Sequence, residues 1–468
     1  MGKGAKVSAR SQLKKCSNRG HRLEDRIAQF PEDRIVHLPE DQISQLPDDI
    51  LILILSFLKL KEAAQTSALS RRWTTLWMYI PRLDFDDPKA LQRILQNSKV
   101  GMREMHSYVN WVNCVMQLHK GYTLDEFRIC FPFAKFSLSQ NQIAKWLEYA
   151  FTRKVHRLVL DLVRGPSSTC CVFPDRLLNI DFGPSTELPH LNNCGTRLPE
   201  LIHFRSLREL ILRCVHVTGE AIEFFLHNCP FLERLVVFGS NKLVNLLVSG
   251  PSLMLKHLDI KMCLDVESIK ICDSNIVSLE ISNVENLMLM NVPKLTELLV
   301  LRWNWSQVSS QLSCCLSQLK NLTLNIHPKS FVNVRDFPEL SQLKHLQIEV
   351  EARHDDSLMG LTSLIKACPY LQKFVLHLFW NCPSKIKRVK EKGATCSLQY
   401  LRVIKFTGYW GRVSDIELLE FFLKNAAALE EIIIDRKSVL DDGESTARTC
   451  SLKEVERLVP KHVQLVIL

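Results

Sequence analysis

A six-residue phrase, L-x-x-L-x-L with aliphatic or aromatic substitutes, recurs along this chain and constrains its fold more than any other feature. It begins at Leu124 (LDEFRI), Val155 (VHRLVL), Leu207 (LRELIL), Leu232 (LERLVV), Leu255 (LKHLDI) and Ile276 (IVSLEI). It begins again at Leu295 (LTELLV), Leu319 (LKNLTL), Leu343 (LKHLQI), Leu371 (LQKFVL), Leu398 (LQYLRV) and Leu429 (LEEIII). In an extended segment the fourth and sixth residues of the phrase share one face and the fifth points the other way. Alone, such a strand leaves its aliphatic face wet. Stacked in register on its neighbours, it adds to one continuous core. Most steps between phrases fall at about 19 to 31 residues, room for one strand and a return segment. The step from Val155 to Leu207 is about double, which predicts a degenerate unit or a loop near Cys171–Leu191.

Phrase and spacing together match leucine-rich repeats, so the expected fold class is α/β, a horseshoe-like solenoid of short parallel strands. Two return segments read as helices with a shared stop. GEAIEFFLHNCPFL (219–232) ends at Cys229-Pro230, and SLIKACPYL (363–371) ends at Cys368-Pro369. Cys263, in LKHLDIKMC, falls where this repeat usually carries Asn or Cys at a buried capping position. Cys229, Cys263 and Cys368 are therefore expected to be structural. A horseshoe presents the fifth residue of each phrase on its concave surface. Those residues include Ile211, Val236, Asp259, Glu280, Leu299, Thr323, Gln347, Val375 and Arg402, the candidate target-binding set. They are mixed in sign and partly apolar, which suits a protein partner. A phosphate backbone asks for a basic stripe, so nucleic acid is disfavoured.

The N-terminal region is organised by proline. Three eight-residue units, Glu24–Pro31, Glu32–Pro39 and Glu40–Pro47, each begin Glu-Asp and end in Pro after Phe or Leu. After Pro31 and Pro39 the next proline arrives too soon for an ordinary helix, whereas after Pro47 none appears until Pro81. Only the third unit opens a helical region. DDILILILSFL places two acids in a first turn, where they suit the helix dipole, ahead of a long apolar stretch. KEAAQTSALS reads as a second helix. SRRWTTLW reads as a third, with Ser70 as candidate N-cap and Trp73 and Trp77 on one face. Three short helices cannot bury this much apolar surface alone, so a partner surface is implied.

The stretch from Leu46 to Trp77, LPDDILILILSFLKLKEAAQTSALSRRWTTLW, resembles an F-box over the whole motif. The matching positions are Leu-Pro at the start, Ile50, the ILSFL core at Ile54 to Leu58, Lys-Glu-Ala at 61–63 and LSRRW at 69–73. The resemblance implies docking on a Skp-type adaptor, and through it on a cullin scaffold and a ubiquitin ligase. Carried over by position, the adaptor-facing or supporting residues are Leu46, Pro47, Ile50, Ile54, Leu55, Leu58, Leu69, Ser70, Trp73 and Trp77.

At the other end, Leu401 to Asp435 reads as strand, turn bracketed by Gly408 and Gly411, helix and strand. Leu418, Leu419, Phe422 and Leu423 fall on one helical face, with Asn425 near the helix end. With Phe406, Gly408, Tyr409 and Gly411, the segment resembles the FBD segment that follows F-box and leucine-rich repeats in many plant proteins. It is expected to cap the solenoid. The insert NCPSKIKRVKEKGATC (381–396) is basic and reads as a solvated loop.

The domain plan is then a basic and acidic leader (1–39), an F-box (40–86), a connector (87–119), leucine-rich repeats (120–380), the basic loop (381–396) and an FBD segment with C-terminal cap (397–468). Hydrophobic residues make up 46% of the 468, so a large core is feasible. The longest apolar run is far too short to span a bilayer, and the basic N-terminus lacks the apolar stretch of a secretory signal. An intracellular protein of nucleus or cytoplasm is expected. Sixteen scattered cysteines without paired CxxC spacing suit that reducing setting and give no support to a metal site. No cofactor is expected.

No GxSxG elbow, P-loop or HExxH appears, so the chain is not expected to be an enzyme. The resemblance implies the substrate-recognition subunit of an SCF-type cullin ubiquitin ligase. Its alternatives are a leucine-rich-repeat scaffold acting outside a ligase, and a small-molecule co-receptor. The co-receptor would need a basic pocket that the fifth-residue positions lack.

Overall fold

The computed structural model describes residues 43, 45–89, 92–93, 101–131, 140–162, 171–178, 204–250, 253–284, 286–301, 312–326, 337–352, 356–380, 396–435 and 455–468. The leader 1–39, the basic insert apart from Cys396, and the 179–191 part of the degenerate unit lie outside them. The described residues fall into two compact units. The smaller draws on 43–85 and 106–127, the larger on 86–105 and 128–468.

The small unit begins with α1 (Asp48–Ser56), α2 (Leu60–Gln65) and the single turn α3 (Trp73–Leu76). Pro47 stands just before α1, and its carbonyl accepts the Ile50 and Leu51 amides (both 3.1 Å). Asp48 and Asp49 occupy the first turn as expected. Leu51, Leu55, Leu60, Ala63, Trp73, Leu76 and Trp77 form the interior. A second layer comes from β1 (Arg82–Asp86), α4 (Gly101–Leu118) and β2 (Glu126–Cys130). The Phe85 ring meets Trp111 and Phe127 edge-on at 5.2 and 5.7 Å, and the Tyr108 hydroxyl donates to the Phe85 carbonyl (2.8 Å). Residues 87–119, expected to be a connector, therefore include a helix whose second half helps build this core.

The large unit opens with α5 (Gln140–Thr152), β3 (Arg157–Asp161), β4 (Cys171–Val172), β5 (Glu209–Arg213) and β6 (Val215–His216). Then come α6 (Gly219–Asn228), β7 (Arg234–Phe238), β8 (Asn245–Ser249), β9 (His257–Lys261) and β10 (Ser268–Cys272). They are followed by β11 (Ser278–Ser282), β12 (Asn286–Met290), β13 (Glu297–Leu301), β14 (Asn321–Ile326) and β15 (His345–Ala352). The chain ends with α7 (Leu361–Lys366), β16 (Lys373–Trp380), β17 (Val403–Thr407), α8 (Val413–Asn425), β18 (Glu431–Asp435) and β19 (Gln464–Ile467).

The main sheet of this unit runs β3-β5-β7-β9-β11-β13-β14-β15-β16-β17-β18-β19, every neighbour parallel. Strand order follows chain order, as a solenoid requires. The pairing keeps the hexads in register, Leu258 opposite Leu279 and Ile260 opposite Ile281, for example. First, fourth and sixth positions are buried throughout, as in Leu207, Leu210 and Leu212 or Ile276, Leu279 and Ile281. Burying one such aliphatic is worth about 1.5–3 kcal/mol.

One expected position is corrected. In LQYLRVIKF two overlapping hexads satisfy the pattern, one from Leu398 and one from Leu401. The backbone selects the second, because Val375 lies opposite Lys405, with Ile404 and Phe406 in the core. Arg402 precedes β17, and its guanidinium meets Glu430 at 3.6 Å. Lys405 takes the place assigned to it.

A second series of phrases also emerges. LVNLLV from Leu243, VESIKI from Val266 and VENLML from Val284 give β8, β10 and β12, a separate parallel sheet in the order β12-β10-β8. These strands fill the return segments of the repeats with steps of about 19 to 23 residues. The helices α6, α7 and α8 fill those with steps of about 25 to 28. A strand rises about 3.3 Å per residue and a helix about 1.5 Å, so a short repeat can cross back only if extended.

Strand ends share a device. Cys214, Gly239, Met262, Asn283 and Gly408, each the residue after a main-sheet strand, have φ of +56°, +72°, +53°, +57° and +75°. This left-handed turn sends the chain off the sheet while its N–H still reaches the next rung, as Gly408 does to Asp435 (2.9 Å). At Gly408 a Cβ would also stand 2.3 Å from the Leu378 carbonyl oxygen, so only glycine fits. β17 and β18 thus extend the solenoid as further rungs, and β19 is the last.

Replacing Gly408 with Ala combines a left-handed penalty of about 1–2 kcal/mol with that backbone clash. The full-length Gly408→Ala protein should therefore unfold at lower temperature than the wild type. An unchanged melting temperature would contradict the packing of β17 on β16.

Candidate functional site

Helix α1 divides its apolar residues. Leu51 and Leu55 point inward and are almost completely buried. Ile50, Leu53 and Ile54, with Phe57 and Leu58 just beyond the helix, remain exposed. Phe57 is 76% and Leu53 52% exposed, far beyond what a small folded unit leaves bare without a use. Leu69, after α2, is exposed too. Apolarity on nearly all sides of α1 was evident in the sequence. The fold covers one side from within and leaves the other exposed.

The expected adaptor residues therefore separate into two kinds. Pro47, Ile50, Ile54, Leu58, Leu69 and Ser70 lie on the surface, and Leu46 is half-buried. Leu55, Trp73 and Trp77 are interior, the tryptophans 6% and 7% exposed. These three can act on a partner only by holding the helices that present the others. Ser70 does not cap α3. The residue before that helix is Arg72, and the Ser70 carbonyl instead accepts the Thr74 hydroxyl (3.2 Å).

Sequence reasoning missed three residues. Leu53 and Phe57 belong to the exposed set, and the i, i+3 spacing from Ile50 would have found the first. Arg72 is the third. Its Nε donates to Asp48 Oδ1 (2.8 Å) and its Nη2 to the Leu46 carbonyl (2.5 Å), tying the third helix to the start of the first. No local pattern signals a bond across this sequence distance.

On the large unit the candidate residues share one row of the sheet, on the face turned away from the aliphatic core. Ile211, Val236, Asp259, Glu280, Leu299, Thr323, Gln347 and Val375 are successive register partners. Val159, Ile211 and Val236 pack together as a buried apolar patch, and Val375 is also buried. The middle of the row is polar and largely matched. Lys261 bonds to Glu280 and lies 3.4 Å from Asp259. Burial opposes charge on Lys261, but the Glu280 bond and the Asp259 charge outweigh it and raise its pKa. Burial raises the Asp259 carboxyl above the usual carboxylate range. Arg157–Glu209 (3.2 Å) and Arg213–Asp161 (3.6 Å) pair across neighbouring strands in the same way.

The buried thiols have a structural environment. Cys263 Sγ lies 3.4 Å from the Lys261 carbonyl, and Cys368 Sγ 3.2 Å from that of Leu364. Burial pushes Cys229 up to about 12 and raises Cys368, so both stay protonated and poorly nucleophilic at neutral pH. No described helix is long and apolar enough to cross a membrane.

Comparison with known proteins agrees with this division. Residues 43–84 match the F-box domain, and residues 115–466 match the leucine-rich-repeat domain described as At1g61320/AtMIF1. The putative F-box/FBD/LRR-repeat protein At5g62970 of Arabidopsis thaliana is 25% identical over 420 residues, 81% of this chain and 89% of that protein. The F-box/FBD/LRR-repeat protein At4g00160 of the same plant is 28% identical over 398 residues, 82% of this chain and 83% of the relative. The FBD-associated F-box protein At3g52670, also from that plant, is 26% identical over 433 residues, covering 88% and 89%.

The two classes of residue should separate in stability measurements on the full-length protein. Trp73→Ala removes an interior side chain and should cost about 3–5 kcal/mol. Phe57→Ala removes an exposed one and should change stability by no more than about 0.5 kcal/mol. Thermal unfolding followed by tryptophan fluorescence reads both. Equal shifts would contradict the assignment of inside and outside.

Proposed function

Because the chain belongs to the plant F-box proteins with a leucine-rich-repeat domain and an FBD segment, the general build of a substrate adaptor, we propose that it is the substrate-recognition subunit of an SCF-type cullin ubiquitin ligase. Its F-box binds a Skp-type adaptor, which links it to the cullin. Its leucine-rich repeats hold a target protein for ubiquitination, inside the cell. The reaction is accelerated by proximity, because the target is kept near a charged carrier. In this reading the chain supplies no nucleophile and needs no cofactor.

The observation that carries the proposal is the row of large apolar side chains left bare on α1 and after it. Ile50, Leu53, Ile54, Phe57 and Leu58 are exposed, while Leu51, Leu55, Trp73 and Trp77 next to them are buried. Such a surface gains by being covered, through the burial of apolar area. Pro47 and Leu69 extend the same set. Ser70 and the half-buried Leu46 lie at its margins, while Leu55, Trp73 and Trp77 act as support. The matched charges of the sheet's open face suit a protein target, because they leave no basic stripe for a phosphate backbone.

The test is capture of a purified Skp-type adaptor by the full-length chain. Ile50→Asp combined with Phe57→Asp should weaken capture by about ten-fold or more while thermal unfolding stays near that of the wild type. Undiminished capture by the double variant would remove α1 from the docking surface.

A further inference from the structure

The cations along the edge where the main-sheet strands begin differ from those on the open face. The second hexad position along this edge reads Arg208, Glu233, Lys256, Val277, Thr296, Lys320, Lys344, Gln372, Arg402 and Glu430. At one end Lys256 pairs with Glu233 (2.9 Å), and at the other Arg402 pairs with Glu430 (3.6 Å). Between them, Lys320 and Lys344 form no ion pair among the described residues.

Their spacing is fixed by the backbone. The Lys344 and His345 amides donate to the Lys320 carbonyl (2.9 and 3.0 Å), and the Gln372 and Lys373 amides to the Lys344 carbonyl (2.8 and 3.0 Å). The two lysines are therefore one parallel rung apart, about 4.8 Å at the backbone. Two like charges carried on adjacent rungs repel each other, and an anion between them relieves that repulsion.

Next to them stands an aromatic pair. Tyr370 and Tyr400 each immediately precede the first hexad residue of their repeats. Their rings lie 5.2 Å apart at 37°, and they are 48% and 47% exposed. Lys320, Gln342, Lys344, Tyr370, Gln372 and Tyr400 line an open cavity of about 380 Å³. The neighbouring strand starts add Lys373, next in sequence to Gln372. His345 faces Lys373 in the register, and burial together with the Lys373 and Lys344 charges holds its imidazole below the usual pKa.

We propose that this edge cavity is an anion-recognition site for an acidic peptide segment of the target, whose carboxylate or phosphate oxygens lie between Lys320 and Lys344 while an adjacent apolar side chain rests on the Tyr370–Tyr400 pair. It rests on the reading of the repeats as the target-binding part. Lysines act as point charges and accept either kind of oxyanion without a fixed fork geometry. Tyrosines offer a flat apolar surface with a polar rim, a combination favoured where peptides dock. From Lys320 to Arg402 the edge spans about 14 Å, the reach of roughly four extended residues. That length fits a short peptide, and a row interrupted by Glu233, Val277, Thr296, Gln372 and Glu430 lacks the continuous basic stripe that a nucleic-acid backbone asks for.

The test uses fluorescein-labelled deca-glutamate, a phosphoserine-glycine peptide of the same length and a deca-glutamine control, each titrated by anisotropy into the purified full-length protein. At least one anionic peptide should bind and the control should not. Lys320→Glu with Lys344→Glu should weaken that binding about ten-fold or more, and Tyr370→Ala with Tyr400→Ala should weaken it several-fold, with circular dichroism unchanged. The tighter of the two peptides identifies the oxyanion. Binding equal in wild type and the lysine double variant, or no binding of either anionic peptide, overturns the proposal. Cross-linking a captured target separates the two readings. Contacts on other repeats, with capture unaffected by the lysine variant, defeat the edge site alone. Contacts only outside the repeats defeat the target-binding reading as well.

Discussion

The large unit depends on the register of its parallel strands. A rung by itself has no inside, because its three aliphatic side chains gain burial only when the next rung repeats them at the same height. The pairing of Leu258 with Leu279 and Ile260 with Ile281 meets this condition. A slip of one residue would turn Asp259 and Glu280 into the core and expose the aliphatics. The left-handed residues at the strand ends serve the same requirement. They let the chain leave the sheet at the same height in successive repeats, with the last N–H still bonded to the next rung.

Register also makes the surface regular, so function can be read along rows. The fifth hexad residues form one row, with an apolar patch at Val159, Ile211 and Val236 and a matched ionic cluster at Asp259, Lys261 and Glu280. The second residues form another row along the strand-start edge, where, among the described residues, charge is matched at both ends but not at Lys320 and Lys344. The small unit follows a different rule. Its helices are too short to enclose their own apolar residues, so burial is divided between Leu51, Leu55, Trp73 and Trp77 inside and a bare strip along α1 outside.

The fold was legible in the sequence wherever the signal was periodic. The hexads give the strands of the main sheet, and the Cys-Pro stops give the ends of α6 and α7. LQYLRVIKF misled because two overlapping hexads fit it, and only backbone pairing chooses between Arg402 and Lys405. The second sheet went unseen because its phrases, from Leu243, Val266 and Val284, lie out of step with the first series. The step lengths carry that information, since the shortest repeats have no room for a helix. In the small unit the motif was legible, but not which residues face outward. That depends on the angle at which α1 meets the other helices, which Arg72 sets by bonding Asp48 and the Leu46 carbonyl.

The small unit thus carries a bare apolar strip along α1, and the large unit is a ladder of parallel strands that presents rows of side chains. The most direct test of that account is hydrogen–deuterium exchange of the full-length protein with and without a purified Skp-type adaptor. The account predicts slowed exchange in Asp48–Ser56 and in the segment around Trp73–Leu76, with the main-sheet strands unchanged. Protection confined to the main-sheet strands, with α1 exchanging as fast as before, would contradict it.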